Sequence, residues 1–477
     1  MNRLFPSAIL ISLLLLVSGV FVNVADQAQT AGSSDFSYFV NPLYVAASPS
    51  TVVPNDVPFC LTTNKNVPTY PIIYCYSPNF IQTAYNFTGA YKLVGGYTYA
   101  GKDQTIVIVD AYGSPTIKSD LKYFDKVFGI PDPPSFQIVC SPPGCPSFNP
   151  LNFPLDELGW TIETTLDVEY AHAMAPGANI VLVVASTPAG DAINTAEAMA
   201  IAKFPGSVMS QSFGIPEYLI TGNNAQILQA EKNYAAAAAA SITVLASAGD
   251  EGAGNGINQP NALFPASSPY VTAVGGTEGY SFGKLVTYTG TCSPGPGPGY
   301  PTGCTPTGYG SEAVWNEAWL PAAGGGAPSL IFAAPIWQSG ITGYKMRTTP
   351  DISFNAAVDG GVLVYWSACL TCISQSFTGW FVIGGTSAGS PQWAAIFAIA
   401  NQLRSMNNKG PLGFVNPTLY SLAESGRYAY DFHDIIVGNN TLAGTTAGFY
   451  AKTGYDLASG WGTPNVGNLV QDLASSS

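Results

Sequence analysis

Histidine is nearly missing from this chain: its 477 residues include only His172 and His433. Chemistry that depends on an imidazole has two positions to draw on and no more. Charge is scarce as well, at 9% of residues against roughly 25% in an average protein. The 29 acidic side chains outnumber 16 basic ones, for a net charge of −13. No basic patch exists that could hold nucleic acid. With few salt bridges to lose, such a surface changes little when carboxylates protonate. That suits acid surroundings, and it also suits an ordinary acidic exported protein. Beyond the N-terminus, no stretch reaches the ~18 uncharged apolar residues of a membrane span. There is no internal repeat.

What is present begins with an export signal. Met1-Asn2-Arg3 leads into an apolar run from Ala8 to Val22, then polar Asp26-Gln27. This is the layout of a signal peptide over residues 1–25, with small residues near Ala25 or Ala28 for cleavage. An uncleaved anchor is the alternative. The eight cysteines fall into local pairs: Cys60/Cys75, Cys140/Cys145, Cys292/Cys304 and Cys369/Cys372. In an exported chain an even count suggests disulfides, and adjacent pairing is the simplest connectivity. The lone Cys-x-x-Cys at 369–372 has no second copy and no His-x-x-His, so a zinc or redox site fits poorly.

Residues 26–58 carry no periodicity and read as a short leader or linker. From there to residue 477 the chain reads as one domain. Short β-branched runs at Thr105–Val109, Asn179–Val184, Val208–Ser212 and Ile242–Ala246 predict buried strands. Between them, helical patterns cover Ile117–Phe128, Trp160–Ala173, Asp191–Lys203 and Ala225–Ala240. Strands alternating with helices predict an α/β fold with a mostly parallel central sheet covered on both faces. Sites in such folds gather at the carboxyl ends of the strands. Residues 281–346, dense in Gly and Pro, predict an irregular surface excursion.

Three local motifs can carry chemistry. Phe381-Val382-Ile383 runs through Gly384-Gly385-Thr386 to Ser387, ahead of an apolar helical run from Gln392 to Arg404. This presents Ser387 at a helix N-terminus, where free N–H groups can hold an oxyanion. A serine nucleophile needs a base. Glu163 and Asp167, at i and i+4, share one helix face with Cβ atoms about 6 Å apart. Two carboxylates so placed share a proton, and a group titrating at about 4 to 5 is a suitable base in acid. Taken alone, the pair fits a solvated acidic helix face with Asp156, Glu157 and Glu169 better. Asp250 follows a strand in a Gly-rich turn; while protonated it can donate to an oxyanion, or it is a simple turn-former.

In this order, these motifs resemble the sedolisins, the serine-carboxyl peptidases. The resemblance runs from Tyr76-Ser77-Pro78 to Pro464 and beyond. It includes Glu163-x-x-x-Asp167, Ala175-Pro176-Gly177-Ala178, Ser210-x-Ser212-x-Gly214, the Gly249-Asp250 turn, and Gly385-Thr386-Ser387 with Pro391. It implies a subtilisin-like three-layer fold with a C-terminal calcium-binding region, and a monomer acting on polypeptides outside the cell in acid. It further implies Ser387 as nucleophile, Glu163 as general base, Asp167 as its support and Asp250 as the oxyanion acid. One structural Ca2+ is implied at Asp434, Ile435, Lys452, Gly454 and Asp456, where Lys452 stands in a position often held by Gly. Sedolisins usually carry a long N-terminal prodomain; only a short stretch stands in that place here, which leaves two expectations open: that a short leader is trimmed, or that no activation is needed.

Two rival readings remain. One is an ordinary subtilisin built on Asp110, His172 and Ser387, although Asp110 lacks the Asp-Thr/Ser-Gly form and His172 the His-Gly-Thr form. The other is an inactive exported binding protein on the same fold.

Overall fold

The computed structural model describes residues 20–22, 38–43, 45–47, 59–60, 73–148, 155–222, 224–279, 288–294, 301–368 and 379–476. The stretch expected to be a signal peptide, other than Val20–Val22, and the Cys369/Cys372 pair lie outside the described residues.

An eight-stranded sheet forms the centre. Its strands are β1 (Thr105–Ala111), β2 (Phe136–Cys140), β3 (Asn179–Ala185), β4 (Val208–Gln211), β5 (Thr243–Ser247), β6 (Thr272–Gly279), β7 (Glu312–Val314) and β8 (Ile352–Asn355). They lie in the order β7-β6-β5-β4-β1-β3-β2, with β8 also paired to β6. Every pairing is parallel except β6 with β7. The side-chain period of two explains how runs without polar alternation behave. Ile106 and Ile108 of β1 and Ile180 and Leu182 of β3 enter one core. Val107, Val109, Val181 and Val183 enter a second core on the opposite face.

Helices cover both faces. The first core is closed by α1 (Ile117–Phe128), α2 (Leu155–Met174) and α5 (Thr386–Met406). The second is closed by α3 (Gly190–Lys203) and α4 (Asn224–Ala239) through Ile193, Ala196, Ile227, Ala230 and Tyr234. Helix α5 is buried nearly all round, as its uniformly apolar sequence requires. It begins at Thr386, earlier than the apolar pattern from Gln392 predicts. Pro391 sits inside it and lacks an N–H, so the Ser387 carbonyl receives no i→i−4 bond there.

Residues 301–346 differ from the irregular surface stretch that composition predicts. They include β7 and further strands, and Trp315, Leu320 and Ala322 are buried. The glycines serve close approach: a Cβ on Gly325 would sit 2.0 Å from the Ala248 carbonyl oxygen. Two short segments of the stretch 26–58, expected to be a leader or linker, are strands too, Asn41–Pro42 and Val45–Ala47. A disulfide joins Cys140 to Cys145, and Cys75 is disulfide-bonded. Backbone register sets Cys292 opposite Cys304. Among the described residues, no helix is long and apolar enough to cross a membrane.

Candidate active site

The carboxyl ends of β1, β4 and β5 open onto one place, and α2 and α5 bring their side chains to it. Strand Gly379–Gly384 ends at Gly385, whose φ of 98° favours glycine, and the chain turns there into α5. Ser387 thus stands in the first turn of α5, fully buried. Its Oγ donates to the Ser212 carbonyl at 3.4 Å. Its N–H donates to the Leu43 carbonyl at 3.1 Å.

Glu163 and Asp167, one helical turn apart on α2, are both fully buried. Asp167 Oδ1 accepts the Ser212 hydroxyl at 2.8 Å, while among the described residues the Glu163 carboxyl has no hydrogen-bond partner. Burial, then the neighbouring Asp167, Asp110 and Asp250, push the Glu163 carboxyl well up; the nearby Ser387 hydroxyl pulls it partly back. Asp167 is pushed up by burial and then by Asp110. Removing carboxylates from water disfavours their charge, and like neighbours add to the effect. Carboxyls that act on one another in this way titrate together and not singly.

Asp250 closes the other side. Its Oδ1 accepts from both the N–H and the hydroxyl of Thr386, each at 2.8 Å. Burial lifts it to about 7 against those two bonds. The Gly-rich run of residues 324–326 packs on its turn: Ala323 N–H donates to the Asp250 carbonyl at 2.9 Å, and Gly325 N–H to that of Gly249 at 2.6 Å. A segment expected to be a surface excursion thus buttresses this acid.

The four residues singled out in the sequence therefore meet. Asp110 meets them too, buried at the end of β1 and raised to about 7 by burial. Sequence reasoning placed Asp110 only in the subtilisin reading. The structure sets it among carboxylates with no histidine beside it. His172 is engaged elsewhere: its Nε2 lies 2.9 Å from the Pro131 carbonyl and 3.4 Å from Asp125 Oδ2. His433 stacks on Tyr309 with ring centroids 3.6 Å apart, and burial lowers it to about 4. Ser212 and Thr386, the direct partners of Asp167 and Asp250, were visible only as parts of motifs. Nothing local assigned them those bonds.

The C-terminal residues form a separate group. Both Asp434 oxygens accept the Gly454 N–H, at 3.2 and 3.1 Å, and Oδ1 takes the Tyr428 hydroxyl at 2.9 Å. Asp456 Oδ1 accepts from Ala458 and Ser459, and its Oδ2 from the Lys452 N–H at 2.9 Å. Burial, and then the charges of Asp434 and Asp456, push the Tyr428 hydroxyl up. The Lys452 residue is exposed and Ile435 buried. Among the described residues no three His, Cys, Asp or Glu side chains cluster to hold a metal. Two carboxylates with backbone carbonyls remain an all-oxygen set, which suits a hard cation.

A buried serine at a helix N-terminus thus faces buried acids on a doubly covered, mostly parallel sheet. Residues 161–411 match the model of the subtilase family, more than half of the chain. The chain belongs to that family and, within it, to the sedolisins. It is 32% identical over 414 residues to kumamolisin of Bacillus sp. (strain MN-32), covering 84% of this chain and 64% of that protein. It is 34% identical over 264 residues to sedolisin of Pseudomonas sp. (strain 101), covering 52% of this chain and 38% of that one. The chain thus spans less than two thirds of the length of these curated relatives. A solved structure of Pseudomonas sedolisin, a serine-carboxyl proteinase complexed with two molecules of pseudo-iodotyrostatin, superposes with a TM-score of 0.66 at 26% identity. That match covers 85% of this chain and 99% of that one.

Proposed function

We propose that this protein is an exported, acid-acting serine-carboxyl endopeptidase that cuts polypeptides through an acyl-enzyme on Ser387. One observation carries the reading: Ser387 is buried among Glu163, Asp167 and Asp250, while both histidines are engaged elsewhere. In this scheme Glu163 takes the Ser387 proton as Oγ attacks the scissile carbonyl, then returns it to the leaving amine. Asp167, held by Ser212, keeps Glu163 in place and shares its proton. Asp250 keeps its own proton below about 7 and can then donate to the oxyanion alongside the Ser387 N–H. A base of this kind works where an imidazole would already be charged. Export rests on the N-terminal signal pattern, and acid surroundings on the sparse charge and the raised buried acids.

The Asp434–Asp456 region supports a structural Ca2+ held by the carboxylates of Asp434 and Asp456 and the carbonyls of Ile435, Lys452 and Gly454. The ion would tie the segment around Asp434 to the 452–456 loop.

The test is digestion of a denatured protein between about pH 2 and pH 8. Cleavage confined to acid supports the carboxyl mechanism. Cleavage at neutral or alkaline pH supports a Ser-His-Asp subtilisin instead, and none at any pH supports an inactive binding protein.

A further inference from the structure

Two asparagines open Asn-x-Thr triplets: Asn86 in Asn86-Phe87-Thr88 and Asn439 in Asn439-Asn440-Thr441. In an exported chain such a triplet is an acceptor for an oligosaccharide on the asparagine amide nitrogen. The sugar is bulky and hydrated, so the folded chain must leave that nitrogen free and facing outward. The fold treats the two positions differently.

At Asn86 both ends of the amide are engaged. The residue takes the left-handed conformation, φ 59°, ahead of the helix Phe87–Leu93, and its Oδ1 accepts the Gly89 N–H at 3.1 Å. Its Nδ2 donates to Asn465 Oδ1 at 2.7 Å. The C-terminal helix Val466–Ser475 closes over this nitrogen, and a Cβ on Gly467 would lie 2.7 Å from it. A substituent on Asn86 would push that helix away.

Asn439 is the reverse case. Its backbone is fixed: Asn316 Nδ2 donates to the Asn439 and Thr441 carbonyls at 3.0 and 2.8 Å, and Ala451 N–H donates to the Gly438 carbonyl at 3.0 Å. Its Oδ1 accepts the Thr441 N–H at 3.0 Å, the turn an asparagine makes with the backbone two residues on. The residue is half-buried, and among the described residues its Nδ2 has no hydrogen-bond partner. Directly across the strand pairing stands Tyr450, 73% exposed. Cross-strand neighbours share a face, with Cβ atoms about 5 Å apart. Ile436 and Val437, just upstream, are exposed as well. An aromatic ring and aliphatic side chains left uncovered beside a free amide nitrogen give a sugar a surface to lie on.

We propose that Asn439, and not Asn86, carries an N-linked glycan, and that the first sugar lies against the Tyr450 ring. The inference rests on the export reading above and is independent of the chemistry at Ser387. In the modification, Asn439 Nδ2 forms a bond to the anomeric carbon of a lipid-linked oligosaccharide phosphate. The bond from that carbon to its phosphate oxygen breaks, the phosphate leaves with the electron pair, and one Nδ2 proton passes to the transferase. Nδ2 keeps its other proton, and Oδ1 keeps the Thr441 N–H.

The experiment expresses the full chain in a secreting eukaryotic host and maps medium and cell fractions by glycopeptide mass spectrometry. Asn439→Gln, Thr441→Ser and Tyr450→Ala are carried alongside. Expected are a sugar on the Asn439 peptide of the secreted wild-type chain, its loss in Asn439→Gln and its retention in Thr441→Ser, which keeps the triplet. Asn86 should be bare throughout. The glycosylated wild-type chain should melt above Asn439→Gln, and that margin should vanish when both also carry Tyr450→Ala. A margin untouched by Tyr450→Ala overturns the sugar–ring contact. A secreted chain bare at Asn439, or a folded one with a sugar on Asn86, overturns the site assignment and leaves export standing. A chain that stays in the cell without a sugar overturns both.

Discussion

Asp250 Oδ1 accepts two hydrogen bonds from Thr386, the residue just before Ser387, while among the described residues its Oδ2 has no hydrogen-bond partner. One oxygen fixes the carboxyl against the start of α5; in the proposed mechanism the other would carry the proton given to the oxyanion. Asp250 is the acid form up to about 7. Activity should therefore fall as pH rises through that value, because the donor becomes an acceptor. Asp250→Ala should lower kcat by roughly a hundredfold or more, the usual effect of removing one oxyanion donor. Unchanged kcat in a folded Asp250→Ala variant would remove Asp250 from the chemistry.

Stability should follow the same buried acids. Burial raises Asp110, Glu197, Asp250 and Glu317 to about 7 each. In the unfolded chain such groups titrate at about 4. Between those values the native state keeps protons that the unfolded chain releases, so stability is fullest below about pH 4 and declines as pH rises through about 7. Thermal melting of the Ser387→Ala variant, which avoids self-digestion, should give a higher Tm in acid than at neutrality. A Tm that climbs toward neutral pH would contradict the buried-acid account.

Arg347 and Asp351 form a fully buried bidentate pair, with contacts of 2.8 and 2.6 Å. Asp351 also accepts the Ala273 N–H and the Tyr420 hydroxyl, each at 2.8 Å, so the pair ties β6 and β8 to the C-terminal helices. Arg347→Met strands a buried carboxylate and should cost about 3–5 kcal/mol. The shift in denaturant midpoint reads it. A loss below about 1 kcal/mol would mean the site relaxes around the missing charge.

Chelation bears on the Asp434–Asp456 region. An ion bound only by the native state stabilises it, so EDTA should lower the Tm and added Ca2+ should restore it. Asp456→Asn should remove the response. An EDTA-treated protein that melts where the calcium-loaded one does has no such site.

Much of this was legible along the chain. β1, β3, β4 and β5 were read to within two residues, because β-branched runs are local signals, whereas α2 starts at Leu155, ahead of the predicted Trp160, and β2, β6, β7 and β8 were not singled out. The Glu163/Asp167 pair was legible for the same reason, since helical spacing alone sets both on one face. Asp110 was not, because its place beside them depends on where β1 ends relative to α2. The strands at Asn41–Pro42 and Val45–Ala47 carry no pattern of their own. They exist because edges at Phe213 and Gly384 accept them. Around Gly325, composition suggested looseness, whereas the lack of side chains permits a tight approach to Ala248.

The central claim is that a carboxylate, and not an imidazole, activates Ser387. The most direct measurement is the single-turnover acylation rate in acid of Glu163→Gln beside His172→Ala. The account predicts a loss of about a thousandfold or more for Glu163→Gln and near wild-type acylation for His172→Ala. Acylation that survives in folded Glu163→Gln and vanishes in folded His172→Ala would contradict it.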